Sequence, residues 1–255
     1  DLTYDLKYGF RDFRGGGRSS ARETAARVAA GSIARKMLQD LANTEFLAWV
    51  SDVGNISSNI SLDEVTQEAI EESPVRCPDK TASAKMEKEI ADAKMNKDSV
   101  GGIVTLLIKN VPACLGEPAF DRTEALLAQA MLSIPATKGF EIGSGFSAAK
   151  MRGSEHNDIP VYQNGKFSTK TNFAGGTLGG ITNGENILCR IAFKPTATIA
   201  KEQPTVNKLG ESGVLAARGR HDPCVAVRAP VIVESMAALV LADLYLRNRA
   251  RQNLF

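Results

Sequence analysis

The stretch Arg14-Gly15-Gly16-Gly17-Arg18-Ser19-Ser20-Ala21-Arg22-Glu23-Thr24, continued by Ala25-Ala26-Arg27-Val28-Ala29-Ala30-Gly31, decides how the rest of the chain is read. Ser20 with Glu23 fits the reciprocal Ser-x-x-Glu cap of a helix start, and the alanines that follow are strong helix formers. A helix is therefore predicted from near Ala21 to about Leu41. Its alanine and glycine faces allow close approach of a neighbouring element. The basic residues are out of place, because Arg18 and Arg22 sit at a helix start, where the macrodipole disfavours cations, and Arg14 is close by. A negative guest resolves the conflict. Glycines let the backbone come close to it, and the free N–H groups of the helix start and the hydroxyls of Ser19 and Ser20 supply donors, so phosphate is the natural occupant. The competing reading is a glycine turn whose arginines pair with Asp12 or Glu23. The Walker pattern G-x-x-x-x-G-K-[ST] is absent.

Outward from this segment, Thr44 to Val53 alternates as a strand ended by Gly54, and Ser61 with Glu64 caps a predicted acidic helix to about Ser73. Pro74 and Pro78 break it off. Lys80 to Asn96 reads as a solvated helix, Gly101 to Val111 as a mostly buried strand, and Asp121 with Glu124 as the cap of a helix ending near Ser133. Lys138 to Ile142 and Phe146 to Arg152 are expected as short strands, and Gly153 to Lys170, with Asn164-Gly165, as a loop or exposed hairpin. Gly175-Gly176-Thr177-Leu178-Gly179-Gly180 leads to a strand at Ile187 to Phe193. A closing helix is predicted from Pro230, a residue suited to a first turn, to about Gln252.

Composition narrows the function classes. With 31 Lys and Arg against 29 Asp and Glu, the net charge of +2 excludes a histone-like or tail-like binder, and neither nucleic acid nor membrane is expected as a partner. Cys77, Cys114, Cys189 and Cys224 lie far apart with no C-x-x-C or Cys/His cluster, so neither a zinc site nor a secreted disulfide framework is expected. A chain of 255 residues, 43% of them hydrophobic, buries a core without such staples. The longest apolar stretch, Ser235 to Leu246, contains Asp243 and is too short and polar to span a bilayer. No signal peptide is read in the opening residues, and a cytoplasmic location, or a plastid one for a plant protein, is expected.

Several further groups could carry chemistry. Lys194-Pro195-Thr196-Ala197-Thr198 places a cation and two hydroxyls just past a strand end, where phosphate or ring-carbonyl contacts are often built; taken alone, it reads as a solvated strand exit. The glycine pairs around Gly179 could admit a flat ring against bare backbone, or mark tight turns. Gly219-Arg220-His221-Asp222-Pro223-Cys224 sets a cation, a titratable ring and a carboxylate in one loop before the final helix, a pattern shared by functional loops and surface salt bridges. Cys224 reads as a small buried hydrophobe and His156 as solvated.

Tyr4 to Asp12, the run Gly15 to Gly31, GEPAFDR (116–122), SIPATKGFEIGSGF (133–146), NFAGGTLGGI (172–181), KPTATI (194–199) and GRHDPC (219–224) together resemble the chorismate synthase family. The resemblance covers nearly the whole chain, as a single domain over residues 1–255. It implies an α/β (α+β type) fold with helices sandwiched between antiparallel sheets, assembled as a homotetramer. It also implies a lyase that eliminates phosphate in the anti-1,4 sense from 5-enolpyruvylshikimate 3-phosphate to give chorismate. That step requires reduced FMN without net redox change, and NADPH is the reductant where such an enzyme reduces its own flavin. Carried over position by position, Arg18, Ser19, Ser20, Ala136, Gly179, Lys194, Pro195, Thr196, Ala197, Thr198 and Arg220 match flavin contacts. Asp222 matches the aspartate that manages the proton at flavin N5. The family pattern also includes an upstream segment with acid/base histidines and substrate arginines, to which neither His156 nor His221 corresponds, so residues 1–255 alone are expected to be inactive. The competing function is a non-catalytic flavin- or phosphate-binding interaction subunit.

Overall fold

The structure is a computed structural model and describes residues 2–12, 16–163, 165–207, 209–217 and 221–252. In chain order the elements are α1 (Leu2–Tyr8), α2 (Thr24–Ala42), β1 (Glu45–Val53), β2 (Ile56–Ser57), α3 (Gln67–Glu72), α4 (Lys80–Met95), β3 (Gly102–Lys109), α5 (Thr123–Leu132) and β4 (Thr137–Ile142). They continue with α6 (Gly153–His156), β5 (Pro160–Gln163), β6 (Lys166–Thr169), β7 (Thr177–Leu178), β8 (Ile181–Thr182), β9 (Ile187–Phe193), β10 (Gln203–Val206), β11 (Ser212–Leu215) and α7 (Pro230–Gln252). A five-stranded antiparallel sheet in the order β2-β1-β3-β9-β4 forms the frame, and β5-β6, β7-β8 and β10-β11 are separate two-stranded hairpins.

Alternation along the strands divides the core. Phe46, Ala48, Val50, Val104, Leu106, Ile108, Ile187, Cys189, Ile191 and Phe193 face a helical layer that supplies Leu38 of α2, Leu127 and Met131 of α5, and Val233, Ala237 and Leu241 of α7. Each fully buried leucine or isoleucine in this layer contributes about 1.5–3 kcal/mol. On the other face, Leu47, Trp49 and Leu107 pack with Val65 and Ile70 from the segment around α3. Further along that face, Arg190 pairs with Glu141 at 2.6 Å. The α+β class with antiparallel sheets is the one the family resemblance implied; among the described residues one large sheet flanks the helices.

Helices α2 and α7 share a polarity that matters for the site. At the first end of the sheet β3 begins and β9 ends, with Gly102 opposite Phe193. At the second end Ile108 stands opposite Ile187. Helix α2 finishes at the second end, where Asn110 Nδ2 donates to Asn43 O at 3.0 Å, so its N-terminus points to the first end. Helix α7 starts at the first end too. The short 3-10 turn Val225–Arg228 precedes it, and bare Gly102 lets Ala226 of that turn close on β3: a Cβ on Gly102 would lie 2.9 Å from that of Ala226. Where α2 crosses α7, Gly31 meets Ser235 so closely that an added Cβ would lie 2.3 Å from Ser235 Cβ. The small-residue face read in the sequence is thus used for a helix crossing.

Beside that crossing, buried Glu234 ties both helices to the sheet: one carboxylate oxygen takes Arg35 Nη1 at 2.5 Å and the other the Ala48 amide at 2.9 Å. Burial pushes its carboxyl above the ordinary carboxylate range, and Arg35 and the Ala48 amide offset only part of that.

Several local expectations change. The first helix begins as a 3-10 turn at Ala21–Glu23, and α2 proper starts at Thr24, because Glu23 pairs with Arg27 at 2.5 Å instead of closing a capping box. Ser61 and Glu64 do form a capping box, but on a 3-10 turn, and Thr66 caps the separate α3. Helix α5 starts after Arg122 without a side-chain cap. Phe146 to Arg152 is not a strand: Gly145–Lys150 is 3-10 helix, opened by Gly143 and Gly145 at positive φ and held by Phe146 N donating to Glu141. The β5-β6 hairpin lies where a loop or hairpin was expected, and β10-β11 had no counterpart in the sequence reading.

Candidate functional site

The first end of the sheet gathers most of the candidate residues. Gly17–Ser19 form a 3-10 turn, Ser20 Oγ accepts from Arg22 N at 3.3 Å, and Ser19 Oγ donates to Gly16 O. Arg18 and Ser19 are exposed, and among the described residues Arg18 pairs with no carboxylate. One turn into α2, Arg27 Nη1 donates to Ser133 Oγ at 2.8 Å, which ties the helix start to the segment leading to Ala136.

Ala136 lies at φ 73°, a left-handed conformation that costs energy for a residue with a Cβ. It is held by Lys194, whose amide donates to Ala136 O at 2.9 Å as the chain leaves β9. The Lys194–Thr198 segment is then pinned from both sides. Ser99 Oγ donates to Thr196 O at 2.7 Å, and Thr196 Oγ1 donates to Asp222 O at 2.9 Å. Val100 N completes the junction by donating to Pro223 O at 2.8 Å.

Asp222 makes its ion pair with a residue the sequence reading did not single out. Arg228, at the end of the 3-10 turn before α7, donates Nε to one carboxylate oxygen at 2.8 Å and Nη2 to the other at 3.2 Å. Both side chains are substantially exposed, Arg228 at 66% and Asp222 at 41%. They line a cavity of about 550 Å³ with Cys224, Arg76, Ile90 and Val231. Buried Cys224 has its thiol pushed up by burial, as suits a packing residue. The neighbouring His221 has a buried Nε2 without a hydrogen-bond partner among the described residues.

Other candidates lie elsewhere. Gly179, in the left-handed region at φ 62°, sits in the β7-β8 turn, where Thr123 N donates to Gly180 O at the start of α5. That is the second end of the sheet, roughly 20 Å along β9 from Lys194 by strand rise. The structure therefore does not bring Gly179 to the other candidates within one chain. Arg14 and Arg220 lie outside the described residues. His156 is less solvated than expected: its Nε2 is 2.8 Å from Ser144 Oγ and its ring lies against Phe173. A second cavity, of about 500 Å³, lies at the second end with Arg35 and Lys109 set against Glu45 and Glu68, and contains none of the candidate residues.

The chorismate synthase family profile matches residues 1–246, nearly the whole chain and every element gathered at this site. The chain belongs to the chorismate synthase family. Among curated relatives, chorismate synthase of Gloeothece citriformis is 55% identical over 252 residues, covering 98% of this chain and 70% of the relative. The Synechocystis sp. chorismate synthase is 53% identical, with the same coverage. A chorismate synthase crystal structure superposes with a TM-score of 0.79 at 32% identity, over 96% of this chain and 69% of its own. No helix among the described residues is long and apolar enough to cross a membrane.

Arg228 could have been found from the sequence. A cation two residues ahead of a predicted helix start is as misplaced as Arg18, and asks the same question about its partner. Ser99 had no such signal, since its role depends on a contact across 97 residues.

Proposed function

We propose that the native polypeptide containing this chain eliminates phosphate from 5-enolpyruvylshikimate 3-phosphate to give chorismate, with reduced FMN bound at the first end of the sheet. The observation that supports this most is convergence: the α2 start with Arg18, Ser19 and Ser20, the strained Ala136, the Lys194–Thr198 segment and Asp222 share one end of the molecule. The N-termini of α2 and α7 face that end as well, which favours anions there.

The residues present fit such a group. Among the described residues, Arg18 is a cation without a carboxylate partner at a helix start, and His221 Nε2 is a buried polar atom without a hydrogen-bond partner beside Asp222. Arg18, Ser19 and Ser20 would hold an anionic group, and Lys194, Thr196 and Thr198 would bind polar edges or a second anion. Reduced FMN, when bound, supplies the electron density that assists departure of the phosphate, with no net redox change. Lys194 and Arg18 oppose the charge that develops on the leaving phosphate. Asp222 holds or accepts a proton at its carboxylate oxygen, as a base whose orientation is fixed before the substrate arrives. The same family reading carries assembly as a homotetramer, which sedimentation of the native polypeptide checks.

The test is Asp222→Asn in the native polypeptide, assayed anaerobically for phosphate release with reduced FMN and 5-enolpyruvylshikimate 3-phosphate. The variant keeps the shape and loses the basicity, so turnover is expected to fall by about 10²-fold or more with flavin affinity little changed. Turnover near that of the parent removes Asp222 from the reaction.

A further inference from the structure

Arg228 stands out once the stability and the geometry of its contact are set side by side. It lies at the end of the 3-10 turn Val225–Arg228, whose Ala226 is buried against β3 and whose neighbour Cys224 is buried beneath it. Asp222 lies six residues earlier on the near side of the same turn, and the two side chains meet through both carboxylate oxygens. A bidentate fork fixes the plane of a carboxylate as well as its position, which a single ammonium contact does not. The backbone of Asp222 is held independently, through Thr196 Oγ1 on its carbonyl, and Thr196 in turn is held by Ser99 Oγ. Backbone and side chain of one aspartate are thus fixed from two directions, in a loop that is otherwise open to solvent.

An exposed pair of this kind contributes little to folding, since ion pairs in water are worth about 0–1 kcal/mol. The arrangement is therefore poorly explained as a stabilising device. We propose that Arg228 is a positioning residue, whose guanidinium fork sets the Asp222 carboxylate in a fixed orientation at the cavity that both side chains line with Arg76, Cys224 and Val231. Each oxygen keeps a lone pair after accepting from Arg228, so the carboxylate remains a proton acceptor. This inference rests on the assignment of Asp222 to the reaction.

The experiment is a double-mutant cycle in the native polypeptide with Arg228→Gln, Asp222→Asn and the double variant. Anaerobic phosphate release is measured together with flavin binding and thermal melting. Arg228→Gln is expected to lower kcat by roughly tenfold or more, with KM for 5-enolpyruvylshikimate 3-phosphate, flavin affinity and melting temperature little changed. In the Asp222→Asn background the same change should cost nothing further, because its target is already lost. Arg228→Lys, which keeps the charge without the fork, should fall between the parent and Arg228→Gln, and it also serves if the glutamine variant does not fold. Losses that multiply in the double variant, or a Gln variant with parental kcat, overturn the positioning role while leaving Asp222 in the reaction. An Asp222→Asn single variant with parental turnover overturns both.

Discussion

Replacing Gly31 by alanine tests the packing that sets both helix starts at the site. A Cβ at this position would lie 2.3 Å from Ser235 Cβ, 2.6 Å from its Cα and 2.9 Å from its carbonyl oxygen. Comfortable carbon contacts are about 3.5–4.0 Å, so α2 and α7 must part by more than about an ångström. Two of the three obstructing atoms are backbone, so no rotamer change relieves the clash. Overpacking of this sort costs about 1–3 kcal/mol, and the backbone obstruction puts Gly31→Ala at the upper end. Helix propensity returns about 1 kcal/mol, leaving a net loss of about 2 kcal/mol. For a domain of this size that lowers the melting temperature by roughly 4–8 °C. The movement also pulls on Glu234, the neighbour of Ser235, and so on the Ala48 amide of β1. Circular dichroism melting, with urea denaturation to show a lower midpoint at unchanged slope, measures the loss. A melting temperature equal to or above the parent's would refute the close crossing and the helix geometry built on it.

Other perturbations separate the remaining contacts. Glu234 has a folded pKa above its unfolded one, so its share of stability is present below about 4.5 and is lost as pH rises. Urea denaturation from pH 4 to 8 should show Glu234→Gln gaining on the parent with rising pH, and the opposite trend would contradict the assignment. Asp158 behaves in the other sense: burial pushes its carboxyl up, but the Ala174 amide, the Thr171 hydroxyl and the Phe173 amide outweigh it and leave it below its ordinary 3.8. Asp158→Asn should cost about 1–2 kcal/mol at neutral pH, a difference that shrinks as pH falls below 3.8; a loss independent of pH would exclude the charge as its source. Arg18→Ala should weaken FMN or substrate roughly ten- to hundredfold by titration, and unchanged affinity for both would favour a purely structural glycine turn.

Much of the frame was legible because single residues announce it. Pro230 at a first-turn position and the apolar run behind it place α7 within the bounds read from sequence, and the burial alternation of Ile187–Phe193 matches a strand facing the helices. Phe146 to Arg152 misled because one aromatic and alternating small residues mimic a strand, whereas Gly143 and Gly145 at positive φ bend the chain into a 3-10 turn. The strands of the β10-β11 hairpin are only four residues long, exposed throughout and interrupted by Pro204 and Gly213, so no strand-length apolar alternation betrays them. At the site, the ordered motifs identified individual residues, but no spacing rule links Thr196 to Asp222 across 26 positions or sends Gly179 to the far end of β9. Arg220, nearer to Asp222 in sequence, lies outside the described residues, and the 3-10 turn brings Arg228 back onto the carboxylate, a contact that no short spacing announces.

The first end of the sheet is the proposed flavin site. Anaerobic hydrogen–deuterium exchange of the native polypeptide, with and without reduced FMN at saturating concentration, tests it directly. Binding should slow exchange at the α2 start around residues 18–20, at Ala136, along 194–198 and around 221–223, where backbone amides and the residues joined to them converge. Bound flavin with unchanged exchange in all four of these segments, and protection confined to the Arg35 and Lys109 cavity at the opposite end, would contradict it.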